Sequence, residues 1–493
     1  VTLVQTIGFA PDVERTTPGA LLECSNLVPT LKGMKAAPSN IVTAYPASAE
    51  AVTGAALLPL LSGAVRFFIG GNTLLQEGVA GAWNNVSRGA GYTAGVNRWR
   101  FCQFGNDSIA ANKSCQLQRS TGAGVAFANL TGPKADVCEV IDGQVMLGNC
   151  DDTGTGLATG FGDQPDRWWA SAINDVATWT PSAATQCVTG RLVAAPGSIR
   201  ALRRLGPNCV AYKDKAIFLG SYVGPQAPIW RWDLVPGDIG CSSQECVVNI
   251  GTAHLFVGET DLYSFDGSRP VSIGAPIREW FFARLNRSYQ YLMAALHDRP
   301  NGLVYWCYPS TASNSGALDE AIVYSYRTNR WGAVSRDIEM PIELVLGGIT
   351  YDNLGTLYTT YDDLPAIPYD SPFWIANSPV PAVIGTDHRP YTIGGEPDAW
   401  SFATSLYGDE QLVSLFERLN VRWVTKPTVA ALTQRYGMDE SASLASATAV
   451  QMSPPTGRFD ALISARWHQS ALAGSGSMEF AGLDPVVKPE SSE

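Results

Sequence analysis

Charge is what this chain has least of. Only 16% of its 493 residues are Asp, Glu, Lys or Arg, while 45% are hydrophobic. Too few charges are present to solvate the outer faces of many long helices. Long apolar runs are missing too. No stretch approaches about 18 consecutive apolar residues, so no segment reads as a membrane span. Histidine is scarce, with His254, His297, His388 and His468 far apart. No H-E-x-x-H occurs, and a zinc site would have to be gathered wholly from distant residues. His297 and His468 lie in strand-like runs and read as core or edge residues. No basic n-region opens the chain at Val1-Thr2-Leu3-Val4-Gln5, and Asp12 and Glu14 follow closely, so no secretion signal is expected.

The catalytic signatures are absent as well. There is no Walker A loop and no G-x-S-x-G elbow. Gly154-Thr155-Gly156-Leu157-Ala158-Thr159-Gly160 is one residue too long for a dinucleotide fingerprint and reads as a mobile loop. The ten cysteines include no C-x-x-C, and free buried thiols in a reducing cytosol are expected. Cys241 and Cys246 flank Ser242-Ser243-Gln244-Glu245 and would be able to pair across a hairpin if oxidised. The acidic pairs Asp151-Asp152, Asp362-Asp363, Asp409-Glu410 and Asp439-Glu440 all fall in turn contexts and read as solvated loop charge. A glycosidase would need two carboxylates across one groove, which spacing alone does not supply. The sequence therefore names no catalytic, cofactor-binding or metal-binding residue, and it does not say which residues line a channel. The net charge of −11 argues against a sequence-reading nucleic-acid binder. It is compatible with an acidic lumen that repels phosphates and lets a duplex slide.

What is abundant is turn and strand. The 48 Gly and 31 Pro suit many short strands, and 49 aromatic residues fit a pleated, half-buried surface. A polar turn followed by large apolar residues recurs at Gly71–Leu75, Asp142–Leu147, Lys213–Leu219, Glu259–Phe265 and Asn353–Tyr358, with a weaker copy at Asn106–Ala110. Anchors at Leu74, Ile109, Val145, Ile217, Leu262, Val304 and Leu357 step by 35, 36, 72, 45, 42 and 53 residues. Such repetition in a β-rich chain marks a propeller. The expected fold is all-β: a β-propeller of six or seven blades at 51–385, an extended N-terminal arm at 1–50, and a C-terminal β domain at 386–493 ending in a disordered tail. Pro11, Pro18, Pro29, Pro38 and Pro46 punctuate the arm, and a Pro-rich stretch at 364–395 marks the second boundary. Strands are expected at 303–308 and 321–326, and around Trp400–Trp423 and Phe459–Phe480. The Ala/Ser-rich stretch 441–449 reads as a flexible loop or short helix. One short amphipathic helix is expected after Pro276, with Ile277, Trp280, Phe281 and Leu285 on its apolar face and Arg278, Glu279, Arg284 and Asn286 on the other, on the rim or facing a partner.

Ser171-Ala-Ile-Asn-Asp-Val-Ala-Thr-Trp179 has the length and ends of a sialidase Asp-box but carries Ile173 and Asp175 at its two defining positions, so a structural blade turn is expected. The same nine residues resemble a turn of the tail nozzle proteins of short-tailed bacteriophages, also called packaged-DNA stabilisation proteins. Four further segments resemble the same family in the same order. They are Thr17–Pro29, Leu255–Gly267 with Pro270–Trp280, Ile322–Trp331, and Arg466–Asp484; residues 385–460 depart from it. The resemblance implies a non-enzymatic virion component assembled in the host bacterial cytoplasm. It implies a homohexamer below the portal-side adaptor ring, with fibres or spikes at its flank. Double-stranded DNA would be retained in its lumen and pass through it without sequence readout. A receptor-binding or adhesin propeller of the virion is the second reading and predicts exposed aromatic clusters on one face. A propeller glycan hydrolase or lyase is the third and predicts converging carboxylates or a histidine in a central pocket.

Overall fold

The computed structural model describes residues 4–93, 97–157, 159–345, 360 and 379–492. The repeat anchor at Leu357, the Asn353–Tyr358 segment and the Asp362-Asp363 pair lie outside these residues.

The chain is an all-β protein organised as a propeller. Five successive stretches, 54–85, 100–129, 134–191, 199–235 and 248–272, each form one separate four-stranded antiparallel sheet. A sixth sheet of the same kind follows: Ala294–Asp298, Leu303–Tyr308, Leu318–Ser325 and the first half of Arg330–Val345. The long strand Arg330–Val345 then changes partners at Ile338. Its second half pairs with Pro379–Gly385, which pairs with Pro390–Gly395, which pairs with Ser39–Val42. That makes a seventh blade, whose outermost strand comes from the N-terminal segment.

Local chemistry explains the strands. In the sixth blade the second strand, Leu303–Tyr308, is buried at all six positions. A strand covered on both faces reads as a continuous apolar run instead of an alternation. The outermost strand of blade 1, Ala82–Asn85, is mostly exposed and ends in two asparagines. At the Asp142-Gly143 hairpin both residues have positive φ, +47° and +76°. That geometry matches the right-handed twist of the flanking strands, and glycine adopts it at no steric cost. The uneven repeat steps have a cause as well. Val145 lies in the second strand of blade 3 and Ile217 in the third strand of blade 4, so the 72-residue step hides no missing blade.

Apolar clusters fill the spaces between neighbouring blades. Ile109, Val145 and Trp169 pack between blades 2 and 3, and Met146, Trp168 and Leu202 between blades 3 and 4. One cluster joins Leu296 and Val323 of blade 6, Ile342 and Val383 of blade 7, and Phe67 and Ile69 of blade 1, so the ring is closed.

The second body is a β-sandwich. One sheet places Leu412–Thr425 between Glu479–Ser492 and Arg458–Ala465. The other runs Ala20–Ser25, Ala399–Thr404, Trp467–Ser475, Val429–Gly437. Leu21, Trp400, Phe402, Phe416, Leu432 and Phe480 fill the space between them.

The N-terminal segment read as an extended arm is itself in both bodies. It supplies strands to the sandwich through Val4–Gln5, Ala20–Ser25 and Met34–Ala36, and it closes the propeller through Ser39–Val42. Pro390–Gly395, beyond the boundary read at 385, belongs to blade 7. Lys488–Ser492, expected as a disordered tail, continues the last strand and pairs as far as Leu412↔Ser492, with one register shift at Glu490. The reason is its partner: Leu412–Thr425 is long enough to keep the ladder going. Within 441–449, Ala445–Ser446 forms a short strand against Arg435–Tyr436 instead of a helix.

The expected helix is Arg278–Arg284. Ile277, Phe281 and Leu285 face inward as expected. Its first free backbone N–H groups are satisfied from afar: the Asp12 carboxylate accepts from Glu279 N (2.5 Å) and Trp280 N (3.0 Å).

Candidate functional site

The inner strand of every blade faces a central channel. Its wall includes Ala56, Phe101, Glu139, Arg203, Ala295 and Ile342, one from each of six blades, with Val248 and Asn249 from the remaining blade.

At the end where the inner strands begin, a short 3-10 turn, Gln244–Cys246, reaches across the axis from blade 5. Glu245 meets blade 2, where Arg100 Nε and Nη2 donate to its two carboxylate oxygens at 2.7 and 3.1 Å. Arg98 Nη1 lies 3.7 Å from the same carboxylate, and Arg98 Nη2 donates to Leu292 O. Arg100 also pairs with Asp136 of blade 3. Gln244 ties blades 3 and 4: its Nε2 donates to Cys138 O (3.0 Å) and its Oε1 accepts from Leu202 N (3.3 Å). Arg203 Nη2 donates to Gln244 O, Ser243 Oγ donates to Met293 O, and Trp306 Nε1 donates to Cys246 O. Three residues thus contact blades 2, 3, 4 and 6 at once and form a floor across the bore.

The electrostatics fix this floor. Burial would raise the Glu245 pKa, but Arg100 and Arg98 outweigh it and bring it down to about 2. A carboxylate held that low stays ionised near neutrality and acts as a fixed anchor. Burial lowers the Arg98 pKa, whereas for Arg100 the pull of Glu245 and Asp136 overcomes burial and raises it. Paired, hydrogen-bonded charges of this sort are costly to break from one side.

Beside the floor, Arg203 also lies 3.6 Å from Glu139. Farther along the wall Arg299 lies 3.1 Å from Glu343, with Arg204, Asn249 and His297 among the lining residues. Burial raises the Glu139 pKa against the pull of Arg203. His297 donates or accepts through Nε2 with Tyr326 Oη at 3.2 Å, and burial lowers its pKa to about 4. Gln244 and Glu245 thus line the channel together with the inner strands.

The residues singled out from sequence have other work. Cys241 and Cys246 are free thiols, as are all ten cysteines. Cys246 donates to Met293 O at 3.3 Å, and burial pushes its pKa up to about 12. Asp151 pairs with Lys134, while Asp152 accepts from Thr159 Oγ1, Phe161 N and Gly162 N and so holds the glycine-rich loop. Asp409 and Asp439 accept from the backbone of Gln411 and Ser441 in their own turns. The Asp-box-like segment is a turn between the third and fourth strands of blade 3. Asp175 accepts from Ala177 N and Thr178 Oγ1, and Trp179 is buried. His254 accepts from Tyr212 Oη at Nδ1 and donates from Nε2 to Arg204 O, both at 2.9 Å, between blades 4 and 5. His468 is buried in the sandwich beside Ser414, and His388 donates to Glu339 at 2.6 Å. Among the described residues no three His, Cys, Asp or Glu gather as metal ligands, and no helix is long and apolar enough to cross a membrane.

Sequence reasoning passed over Glu245, Arg98 and Arg100. The available signal was a Gln-Glu step set between two buried cysteines, and an Arg-Trp-Arg run in a weakly charged chain.

No family model matches this chain, and no curated protein matches it. Among solved structures it is similar to the extracellular domain of the putative one-component system BT4673 from B. thetaiotaomicron, at 11% identity and a TM-score of 0.38, over 87% of this chain and 47% of that one. The chain thus spans about half the length of that structure. It is similar to YCF48 bound to D1 peptide at 10% identity and a TM-score of 0.36, over 75% of this chain and 97% of that one. At these values the likenesses add nothing to the topology described above.

Proposed function

We propose that this chain is a structural component of a short-tailed bacteriophage tail, a nozzle in which six copies surround a DNA channel. The nozzle retains packaged DNA and lets it leave at infection. One observation carries the reading. Five segments resemble the nozzle family in chain order, and they are spread over the strap at 17–29, blades 3, 5 and 6, and the closing strands of the sandwich. The physics of the fold supports it. The propeller bore is floored by Gln244–Cys246, so a passage for a duplex lies between copies and not through one. A cyclic, head-to-tail arrangement closes such a passage without growing into fibres. A net charge of −11 suits a wall that phosphates slide along. The role requires no turnover and no cofactor. Its partners are other copies, the portal-side adaptor ring, and fibres or spikes at the flank. Its place is the virion tail, after assembly in the host cytoplasm.

Sedimentation equilibrium of the purified protein, alone and with isolated portal–adaptor particles, tests this. The expected result is a species near six times the 52.7 kDa chain mass, alone or on the particle. A monomer that ignores the particle and instead binds host-surface glycan overturns it in favour of the receptor-binding reading.

A further inference from the structure

The N-terminal segment supplies strands to both bodies. In the sandwich, Met34 and Lys35 pair with Phe480 and Glu479. Gly33 lies so close to that strand that a Cβ would sit 1.9 Å from Phe480 O. In the propeller, Leu27 bridges to Ala333 of blade 6, and a Cβ on Gly332 would sit 2.3 Å from Leu27 O. Asn26, at φ +55°, spans the two bodies with one side chain. Its Oδ1 accepts from Ser335 N of the propeller, and its Nδ2 donates to Ala399 O of the sandwich. Asp12 meets the helix after blade 5, and Glu23 pairs with Arg435 of the sandwich. Only after these contacts does the chain reach Ser39–Val42 and complete blade 7.

We propose that residues 4–42 are a conformational clasp. Their docking on the sandwich holds the strand that closes the propeller ring, so loosening the segment on one body loosens the other. The physical basis is short range and stiff. Between the sandwich contact at Met34–Ala36 and the closing strand at Ser39 stand only two residues, Ala37 and Pro38. Pro38 O accepts from Arg336 Nη2, which fixes the crossing point to the end of the blade 6 half of Arg330–Val345. Two residues span too short a distance to absorb a displacement. Independent opening of the two bodies would need a slack linker there, and none exists. Cooperative units defined by such contacts open together.

Hydrogen exchange of the full-length protein, read by peptide mass, tests the clasp. Gly332→Ala pushes a methyl from blade 6 against Leu27 O of the segment, and Gly33→Ala pushes one from the segment against Phe480 O of the sandwich, so the two strain the clasp from opposite sides. The expected result is that each variant speeds exchange about tenfold in both 390–395 and 479–487, while 134–151 of blade 3 stays unchanged. Should either glycine variant not fold, Asn26→Gly removes the spanning hydrogen bonds, tolerates the positive φ and is expected to act on both bodies. The proposal is overturned if Gly332→Ala loosens only the propeller and Gly33→Ala only the sandwich, or if Asn26→Gly changes exchange in one body alone.

Discussion

Blade 3 and blade 7 are built on the same plan and assembled in opposite ways. Blade 3 takes its four strands from one run, 134–191, and they pair in chain order. Blade 7 takes the end of Arg330–Val345, the hairpin at 379–395, and a strand from residues 39–42. The first is held by local turns, the second by contacts across the whole chain. Among the described residues the ring closes in blade 7, where Ser39–Val42 pairs with Tyr391–Gly395, about 350 residues later in the chain. Closing a ring with a strand from the opposite terminus makes the early segment wait for the late one, which raises contact order and slows folding.

The largest expected effect is at the floor. Glu245→Ala leaves the buried Arg98 without a carboxylate and Arg100 with Asp136 alone, and a loss of about 3–5 kcal/mol in urea unfolding is expected. A loss under about 1 kcal/mol would show that the cross-ring contacts are not structural. Protonation should act in the same direction: the stability Glu245 supplies is complete above its unfolded pKa near 4.5 and is lost as pH falls toward about 2.

His254 gives the contrasting case of a tie between two adjacent blades. Its folded pKa is lowered by burial from 6.5 to about 4, so the unfolded state takes up the proton first. Stability therefore falls as pH drops from about 6.5 to 4, by about 3 kcal/mol in total. His254→Gln should flatten that part of a pH–stability curve; an unchanged slope would contradict the buried neutral assignment.

Asp12→Ala removes the strap's hold on two helix N–H groups and should cost about 1 kcal/mol, as helix caps do. The difference from wild type should appear as faster exchange at 278–284. At the small end, Leu462 is 76% exposed on the outermost strand of its sheet. Leu462→Ser should leave unfolding within about 0.5 kcal/mol. A larger loss in a purified monomer would mean that this edge is covered.

The same contrast explains what the sequence made legible. Asp142-Gly143, Asn301-Gly302 and the run Leu303–Tyr308 announce hairpins because turn chemistry and strand burial are local. The helix after Pro276 was legible for the same reason, with Phe281 at the right spacing. The seventh blade was not: Ser39–Val42 is a short, half-exposed strand whose only reason to exist is Tyr391–Gly395 across the chain. Lys488–Ser492 carries proline and charge and looks like a tail, yet it has a long partner strand. The floor escaped notice because Glu245 gains its meaning from Arg98 and Arg100, about 145 residues earlier. Spacing between distant residues carries no signal that one sequence reveals.

The most direct test of the functional claim is an image of the assembled protein by negative-stain electron microscopy. The account predicts rings of about six copies with one stain-filled hole on the symmetry axis, between propellers whose own bores are closed. Isolated particles, or rings whose only passages run through the individual propellers, would contradict it.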